Sequence, residues 1–230
     1  MTGRDRYHGA SDYSVACCDN FFMSQFFEIH PDDPQLRLIH QAVNIINQGG
    51  VVVYPTDSCY ALGCHLGDKT AMERIRRIRK VGKEHHFTLM SQDMSQISTY
   101  AKINNDAFRL IKGLTPGPYT FILPATHEVP RRLWHPKKKT IGIRIPDNRI
   151  ALALMENLGE PLMSSTLILP DTDMPMTDPY QIRVILEHDV DLVIDGGFCG
   201  IEPSTVIGLT SNVPEVLREG KGAVDWLEVH

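Results

Sequence analysis

GGVVVYPTDSCYALG, residues 49–63, is the stretch on which the reading of this chain turns. Gly49-Gly50 is a helix-stop signal. The β-branched run Val51-Val52-Val53-Tyr54 follows and is halted by Pro55. A run without apolar–polar alternation predicts a strand covered on both faces. At its carboxyl end stand Thr56, Asp57 and Ser58, where α/β proteins commonly place ligand sites. Small hydroxyls there can hold an amino-acid or sugar group by directed hydrogen bonds. Taken alone, they read as no more than a polar turn.

Working outward, helical and strand patterns alternate. Asp33-Pro34 opens a helix with Leu36, Ile39, Val43 and Ile46 on its apolar face. Residues 70–80 have helical spacing, with Met72, Ile75 and Ile78 inside and the arginines outside. Phe87–Met90 predicts a strand and 104–113 a helix. Thr115-Pro116-Gly117-Pro118 makes a stiff turn into a strand at Tyr119–Leu123. Thr140–Ile145 alternates, with Ile141, Ile143 and Ile145 on one side and Gly142 and Arg144 on the other, so Arg144 faces away from the packed side. A helix at 149–158, a strand at Leu162–Leu169 and a helix at 178–188 follow. Val190–Ile194, Thr205–Leu209 and Val216–Arg218 read as closing strands. The pattern predicts a single α/β domain built on a large mixed sheet flanked by helices.

The composition agrees. Of 230 residues, 42% are hydrophobic and 22% charged, which suits one domain with its own core. No window approaches the roughly 18 consecutive apolar residues of a membrane span, so no membrane partner is expected. Five cysteines, irregularly spaced, do not form a disulfide framework. With no secretory h-region in view, a reducing cytoplasm is the expected compartment. Residues 1–22 lack periodicity and are expected to be a disordered leader or extension, with Met23 opening a segment more like a natural start.

The net charge of −5 is unevenly spread. Residues 74–86 (RIRRIRKVGKEHH) carry six Arg or Lys against one Glu, and 131–139 (RRLWHPKKK) carry five and no acid. On charge alone these runs are either solvated faces or a positive pole for a nucleotide or RNA.

Several common signatures are missing: no GxxxxGK[ST] phosphate loop, no GxGxxG, no GxSxG and no HExxH. Cys59, Cys64 and His65 lack the spacing of a structural zinc site, and adjacent His85-His86 side chains diverge in most backbones. No structural metal is predicted.

What the chain does have is a set of segments that gain meaning together. Arg79 and Lys80 end the arginine-rich helix, and a guanidinium is a planar fork suited to phosphate oxygens. PGPYTFIL (116–123) offers Thr120 at a strand start. IGIRIP (141–146) projects Arg144 from an apolar strand, where it must find an anion or water. Ser164-Ser165-Thr166, PSTV (203–206) and LREG (217–220) complete the set.

In this order, GGVVVYPTDSCYALG, PGPYTFIL, IGIRIP, PSTV and VLREG resemble the YrdC-like family of threonylcarbamoyl-AMP synthases, and the variant motifs resemble its YciO branch. The resemblance spans residues 36–222. It implies a twisted α/β sheet with a concave basic face. The implied activity joins L-threonine, bicarbonate and ATP into threonylcarbamoyl-AMP and pyrophosphate, with magnesium on the nucleotide, in the threonylcarbamoyl modification of tRNA. By position, Thr56 would contact the threonine and Arg144 its carboxylate or the neighbouring phosphate. Thr120, Ser164 and Ser204 would line the substrate pocket, while Arg79, Lys80, Ser165 and Arg218 would meet the nucleotide. Arg79 and Arg144 are the expected catalytic cations. On this basis Arg144→Ala or Arg218→Ala should weaken ATP binding and leave the fold intact.

Two departures bear on activity. The family's K-x-R pair becomes Arg79-Lys80-Val81, and its S-A-N-x-S-G stretch aligns with Thr166–Asp171, placing Ile168 at the asparagine and Pro170 at a serine. Losing one well-placed donor commonly costs about 10²–10³ in rate, so weak or altered catalysis is expected. The alternative is a double-stranded RNA-binding or ribosome-associated module on the same fold.

Overall fold

The computed structural model describes residues 23–82, 84–134, 138–211 and 213–225; the leader expected over 1–22 lies outside the described residues. The elements are β1 (Gln25–Glu28), α1 (Leu36–Asn47), β2 (Val52–Tyr54), β3 (Ala61–His65), α2 (Lys69–Arg79), β4 (Thr88–Met90), α3 (Met94–Tyr100), α4 (Asn105–Leu114), β5 (Tyr119–Pro124), β6 (Thr140–Arg144), α5 (Arg149–Leu158), β7 (Leu162–Thr166), α6 (Pro179–Leu186), β8 (Leu192–Asp195), β9 (Thr205–Gly208) and β10 (Glu215–Arg218). A short 3-10 turn occupies Arg131–Leu133.

All ten strands form one mixed sheet in the order β1-β8-β2-β3-β7-β4-β6-β5-β9-β10. This is the single α/β domain with a large mixed sheet that the alternating pattern predicted. β2 behaves as its composition requires. Val53, like Val51 just before the strand, joins one apolar core and Val52 and Tyr54 the other, all fully buried. The first core takes the inward faces of α2, α3, α4 and α6; the second draws only on α1 and α5 among the described helices.

Local chemistry sets the helix starts. Asp68, Asp93, Asn104, Asn148 and Asp178 each accept a backbone N–H of the first turn, satisfying donors that the helix itself cannot pair. α1 lacks such a cap and begins after Gln35, two residues beyond the Asp33-Pro34 signal.

Two orientations differ from expectation. Leu36 is 59% exposed and does not belong to the apolar face of α1, which is carried by Ile39, Ala42, Val43 and Ile46. Arg76 is buried although the arginines of α2 were all expected outside. Its charge pairs with Glu73 at 2.7 Å and its guanidinium lies over the Phe87 ring at 5.3 Å, which compensates a cation drawn from water. Arg74 is likewise bound, to Asp191 at 2.8 Å. The basic run is therefore only partly a solvated face.

β6 positions the site. Ile141 and Ile143 enter the first core, so Gly142 and Arg144 turn to the opposite face. β5 does the same with Thr120 and Ile122, and β9 with Val206, because Phe121, Leu123 and Ile207 point into the first core. On that face α1 and α5 cover one end of the sheet, and the far end is left for a hollow.

Candidate functional site

A cavity of about 490 Å³ opens over the end of the sheet formed by β7, β4, β6, β5, β9 and β10. One row of its floor runs through paired residues: Ser164 of β7 opposite Thr88 of β4, Thr88 opposite Gly142 of β6, and Gly142 opposite Ile122 of β5. Gly142 keeps that row low. A Cβ at that position would stand 3.2 Å from the Thr88 hydroxyl and 3.5 Å from both Thr120 and Ile122, so any larger side chain would rise into the hollow.

Of the nine residues singled out from the sequence, eight line this cavity: Thr56, Arg79, Thr120, Arg144, Ser164, Ser165, Ser204 and Arg218. The ninth, Lys80, does not. It caps α2 in the left-handed conformation, and its exposed ammonium lies 4.0 Å from Asp171. A left-handed residue ends the helix and turns the side chain off the helix line, which separates it from Arg79 despite their adjacency.

The cations are held by specific partners. Arg144 donates from Nη2 to Asp57 Oδ1 at 2.5 Å and from Nη1 to Ser58 Oγ at 3.0 Å. Both members of this ion pair are buried, and Arg144 Nε and Asp57 Oδ2 have no hydrogen-bond partner among the described residues. Arg144 thus faces away from the first core as strand alternation predicted, yet it is buried, because the Thr56–Cys59 turn closes over it. Arg218 donates to the Ser204 carbonyl at 2.7 Å. It lies at the rim, with its guanidinium partly withdrawn from water. Burial holds its pKa below the ordinary arginine value, and Arg144 adds to the effect. Burial, then Arg218, does the same to Arg79. Burial and a neighbouring guanidinium thus disfavour the charge on Arg79 and on Arg218, which poises the site for an anion.

The hydroxyls are organised as well. Thr120 and Ser204 share a hydrogen bond of 2.8 Å, and Ser164 one of 2.7 Å with Tyr54. Thr56 lines the hollow, but its hydroxyl donates to the Cys59 carbonyl at 2.6 Å and accepts from the amides of Ser58 and Cys59. Its oxygen is occupied by the turn that it builds.

Sequence reading weighed His85 only beside His86 as a metal ligand and set it aside. Its Nε2 stands 2.9 Å from Arg79 Nη1 and 2.9 Å from Ser165 Oγ, while Arg79 Nη1 also donates to Ser165 Oγ at 2.5 Å. Since a guanidinium only donates, Nε2 is the acceptor and the ring proton sits on Nδ1. Burial, followed by the charges of Arg79, His86 and Arg76, pushes the His85 pKa down to about 4. Lys221, one residue past the LREG motif, was also missed; its ammonium donates to the Asp57 carbonyl and braces the turn from outside. The two basic runs meet here: Arg79, His85 and His86 line the cavity from one, Leu133 and Lys138 from the other.

The departures expected from the motifs have clear places. Val81 donates its amide to Arg76 and closes α2, bringing no second cation. Ile168 lines the cavity, and its carbonyl accepts from Arg79 Nε at 3.4 Å. Among the described residues, no group of three His, Cys, Asp or Glu is placed to hold a metal ion.

A family model for Sua5, YciO and YrdC proteins, described as "Telomere recombination", matches residues 44–220. The uncharacterized protein YciO of Escherichia coli is 59% identical over 202 residues, 88% of this chain and 98% of its own length. Its crystal structure matches with a TM-score of 0.85 over 88% of this chain and 98% of that chain. Threonylcarbamoyl-AMP synthase of Pyrococcus abyssi is 31% identical over 193 residues, 83% of this chain and 56% of the relative. The crystal structure of Pyrococcus abyssi Sua5 complexed with L-threonine matches with a TM-score of 0.79 at 28% identity, over 86% of this chain and 58% of that one. The chain belongs to the Sua5/YciO/YrdC family.

Proposed function

We propose that the chain is a nucleotide-binding enzyme that adenylates a small carbamate, in the manner of threonylcarbamoyl-AMP synthase, with low or altered efficiency. The observation that carries this reading is the convergence of Arg79, Arg144 and Arg218 on one cavity whose wall also carries Thr120, Ser164, Ser165 and Ser204. Guanidiniums suit phosphate and carboxylate oxygens, and the hydroxyls suit a small polar substrate. That a family relative is described in complex with L-threonine supports an amino acid as that substrate.

In this reading the threonine amine captures carbon dioxide from bicarbonate. The carbamate oxygen then attacks the α-phosphorus of ATP, and pyrophosphate leaves. The protein contributes alignment and charge stabilisation. Arg144 is pinned by Asp57 and Ser58, and Arg218 stands at the rim on the Ser204 carbonyl. The expected magnesium ion would ride on the phosphate oxygens, since the cavity lining offers it no carboxylate. A tRNA-modification role and a reducing cytoplasm, which suits the unpaired Cys59, Cys64 and Cys199, belong to the same proposal. Ile168 in place of a polar donor accounts for the reduced efficiency.

Incubation with ATP, L-threonine and bicarbonate, assayed for pyrophosphate and the mixed anhydride, tests the proposal. Pyrophosphate released only when all three are present is the expected result; none above the rate without threonine counts against it.

A second reading, duplex RNA binding, draws on the meeting of the two basic runs at the same cavity. It predicts affinity that falls steeply with salt. Arg74 and Arg76 are already paired with Asp191 and Glu73, which leaves this reading fewer cations than the sequence suggested.

A further inference from the structure

The Arg79–His85–Ser165 cluster has a hydrogen-bond logic of its own. In the arrangement described above, Arg79 donates to both partners, Ser165 donates its hydroxyl proton to His85, and His85 Nε2 receives both. The three groups satisfy one another. Only a neutral imidazole permits this, because a protonated ring has no lone pair.

The surroundings keep it neutral. The charged groups acting on His85 are all cations: Arg79 and Arg76 from α2 and His86 from its own loop. Ser165 reaches it from β7, the Phe87 ring meets it edge-on at 5.4 Å, and Arg218 from β10 acts on Arg79 behind it. Lys138 lines the same cavity. An anion in the hollow reverses the sign of this environment.

We infer that His85 supplies the second cation missing beside Arg79, neutral while the hollow is empty and taking up a proton as the pH falls through neutrality and below when a phosphate-type anion occupies it. The step moves one proton from solvent to Nε2 and breaks no covalent bond. Once Nε2 carries a proton it can no longer accept from Arg79 or Ser165. The Ser165 oxygen still accepts from Arg79 Nη1 and can accept from the new Nε2–H, so the Ser165 hydroxyl proton is freed to turn to the anion, with the charge of the ring behind it. Val81 has removed a fixed cation from the end of α2, and His85 replaces it with one that appears on demand. This rests on reading the hollow as an anion site, and it leaves open which anion the enzyme uses.

Imidazole NMR of the full chain tests it, with the His85 signals identified by their absence from H85Q. The probe is sulfate, a dianion that holds no proton across the range. The expected result is a His85 pKa that rises from about 4 in the empty protein into a range of about 5–7 at saturating sulfate, as a nearby opposite charge shifts a group by about 1–3 pH units. An unchanged His85 pKa while cavity signals such as Thr88 respond overturns the inference. So does the lack of any response to sulfate. Calorimetry of ATP binding in two buffers of different ionisation heat separates the inference from the proposed function. Wild type should take up more protons per ATP bound than H85Q. Equal uptake with firm ATP binding overturns the role of His85 and spares the nucleotide reading. Sulfate-shifted His85 with no ATP binding supports the inference and removes the nucleotide.

Discussion

Arg144 Nη2 lies 2.5 Å from Asp57 Oδ1, and neither side chain is more than a tenth exposed. That burial changes what a substitution reports. From sequence alone, Arg144→Ala was expected to weaken a ligand and spare the fold. With Asp57 enclosed beside it, the substitution strands a buried carboxylate. Breaking such a pair costs about 3–5 kcal/mol, whereas replacing both members with well-packed apolar residues is often neutral. Urea unfolding should show Arg144→Ala and Asp57→Ala strongly destabilised, and Arg144→Met with Asp57→Leu largely restored. Single variants as stable as wild type would contradict the pairing.

Arg218 is the cleaner probe of the ligand. It sits at the rim and gives one hydrogen bond among the described residues, to the Ser204 carbonyl, so Arg218→Ala removes little packing. A charge-assisted hydrogen bond to a ligand is worth about 1.5–3 kcal/mol, or roughly ten- to a hundredfold in affinity. ATP titration should show a loss of that size with an unchanged urea midpoint. Unaltered affinity removes Arg218 from the site.

How far the sequence carried follows from which interactions are local. β2 could be read from Val51–Tyr54 because a both-faces-buried strand leaves its mark in four adjacent residues, and Arg144 could be placed on its face because β6 alternates. β1 was not foreseen: its four residues carry no periodicity and are ordered by parallel pairing with β8, over a hundred and sixty residues away. α3 escaped for a related reason, since only Ile97 of its seven residues is buried and the apolar signal is thin.

The site divides the same way. Residues inside recognisable motifs were found, and eight of them meet in space. Lys80 failed because a left-handed cap separates it from Arg79, a backbone choice that residue type does not encode. His85 and Lys221 lie outside any motif, and their partners Ser165 and Asp57 are 80 and 164 positions distant. Arg79, six positions before His85, is a nearer partner, but its spacing alone does not set the ring apart from His86. Arg76 shows the converse: helical spacing marked it polar and exposed, whereas Glu73 and the Phe87 ring make it a core residue.

Gly142 tests whether the floor of the hollow is where the ligand sits. Its absent Cβ leaves a gap bounded by Thr88, Thr120 and Ile122. Gly142→Ala needs the Thr88 hydroxyl to yield by a few tenths of an ångström and should be tolerated. Gly142→Val adds two methyl groups above the floor while suiting a strand. ATP affinity should fall at least about tenfold for the valine variant, with far-UV circular dichroism unchanged. Full affinity in a folded Gly142→Val protein would move the ligand elsewhere.

His85 makes stability depend on acidity in a defined direction. Its folded pKa, about 4, lies below the ordinary histidine value of 6.5, so the unfolded chain binds the proton more readily. Its contribution is fully present above about pH 6.5 and is lost as the pH falls toward 4, with no further loss below that. His85→Gln can still accept from Arg79 and does not titrate. The difference in unfolding free energy between wild type and H85Q should therefore be flat from pH 8 to about 7 and then shrink between about 6.5 and 4. Saturating sulfate should narrow that window from its acid end, because the folded pKa rises toward the unfolded value of 6.5 and the two states then bind the proton more nearly alike. A difference constant from pH 8 to 4 would mean that His85 exchanges no proton on unfolding, and that Arg79 and Ser165 do not hold it neutral.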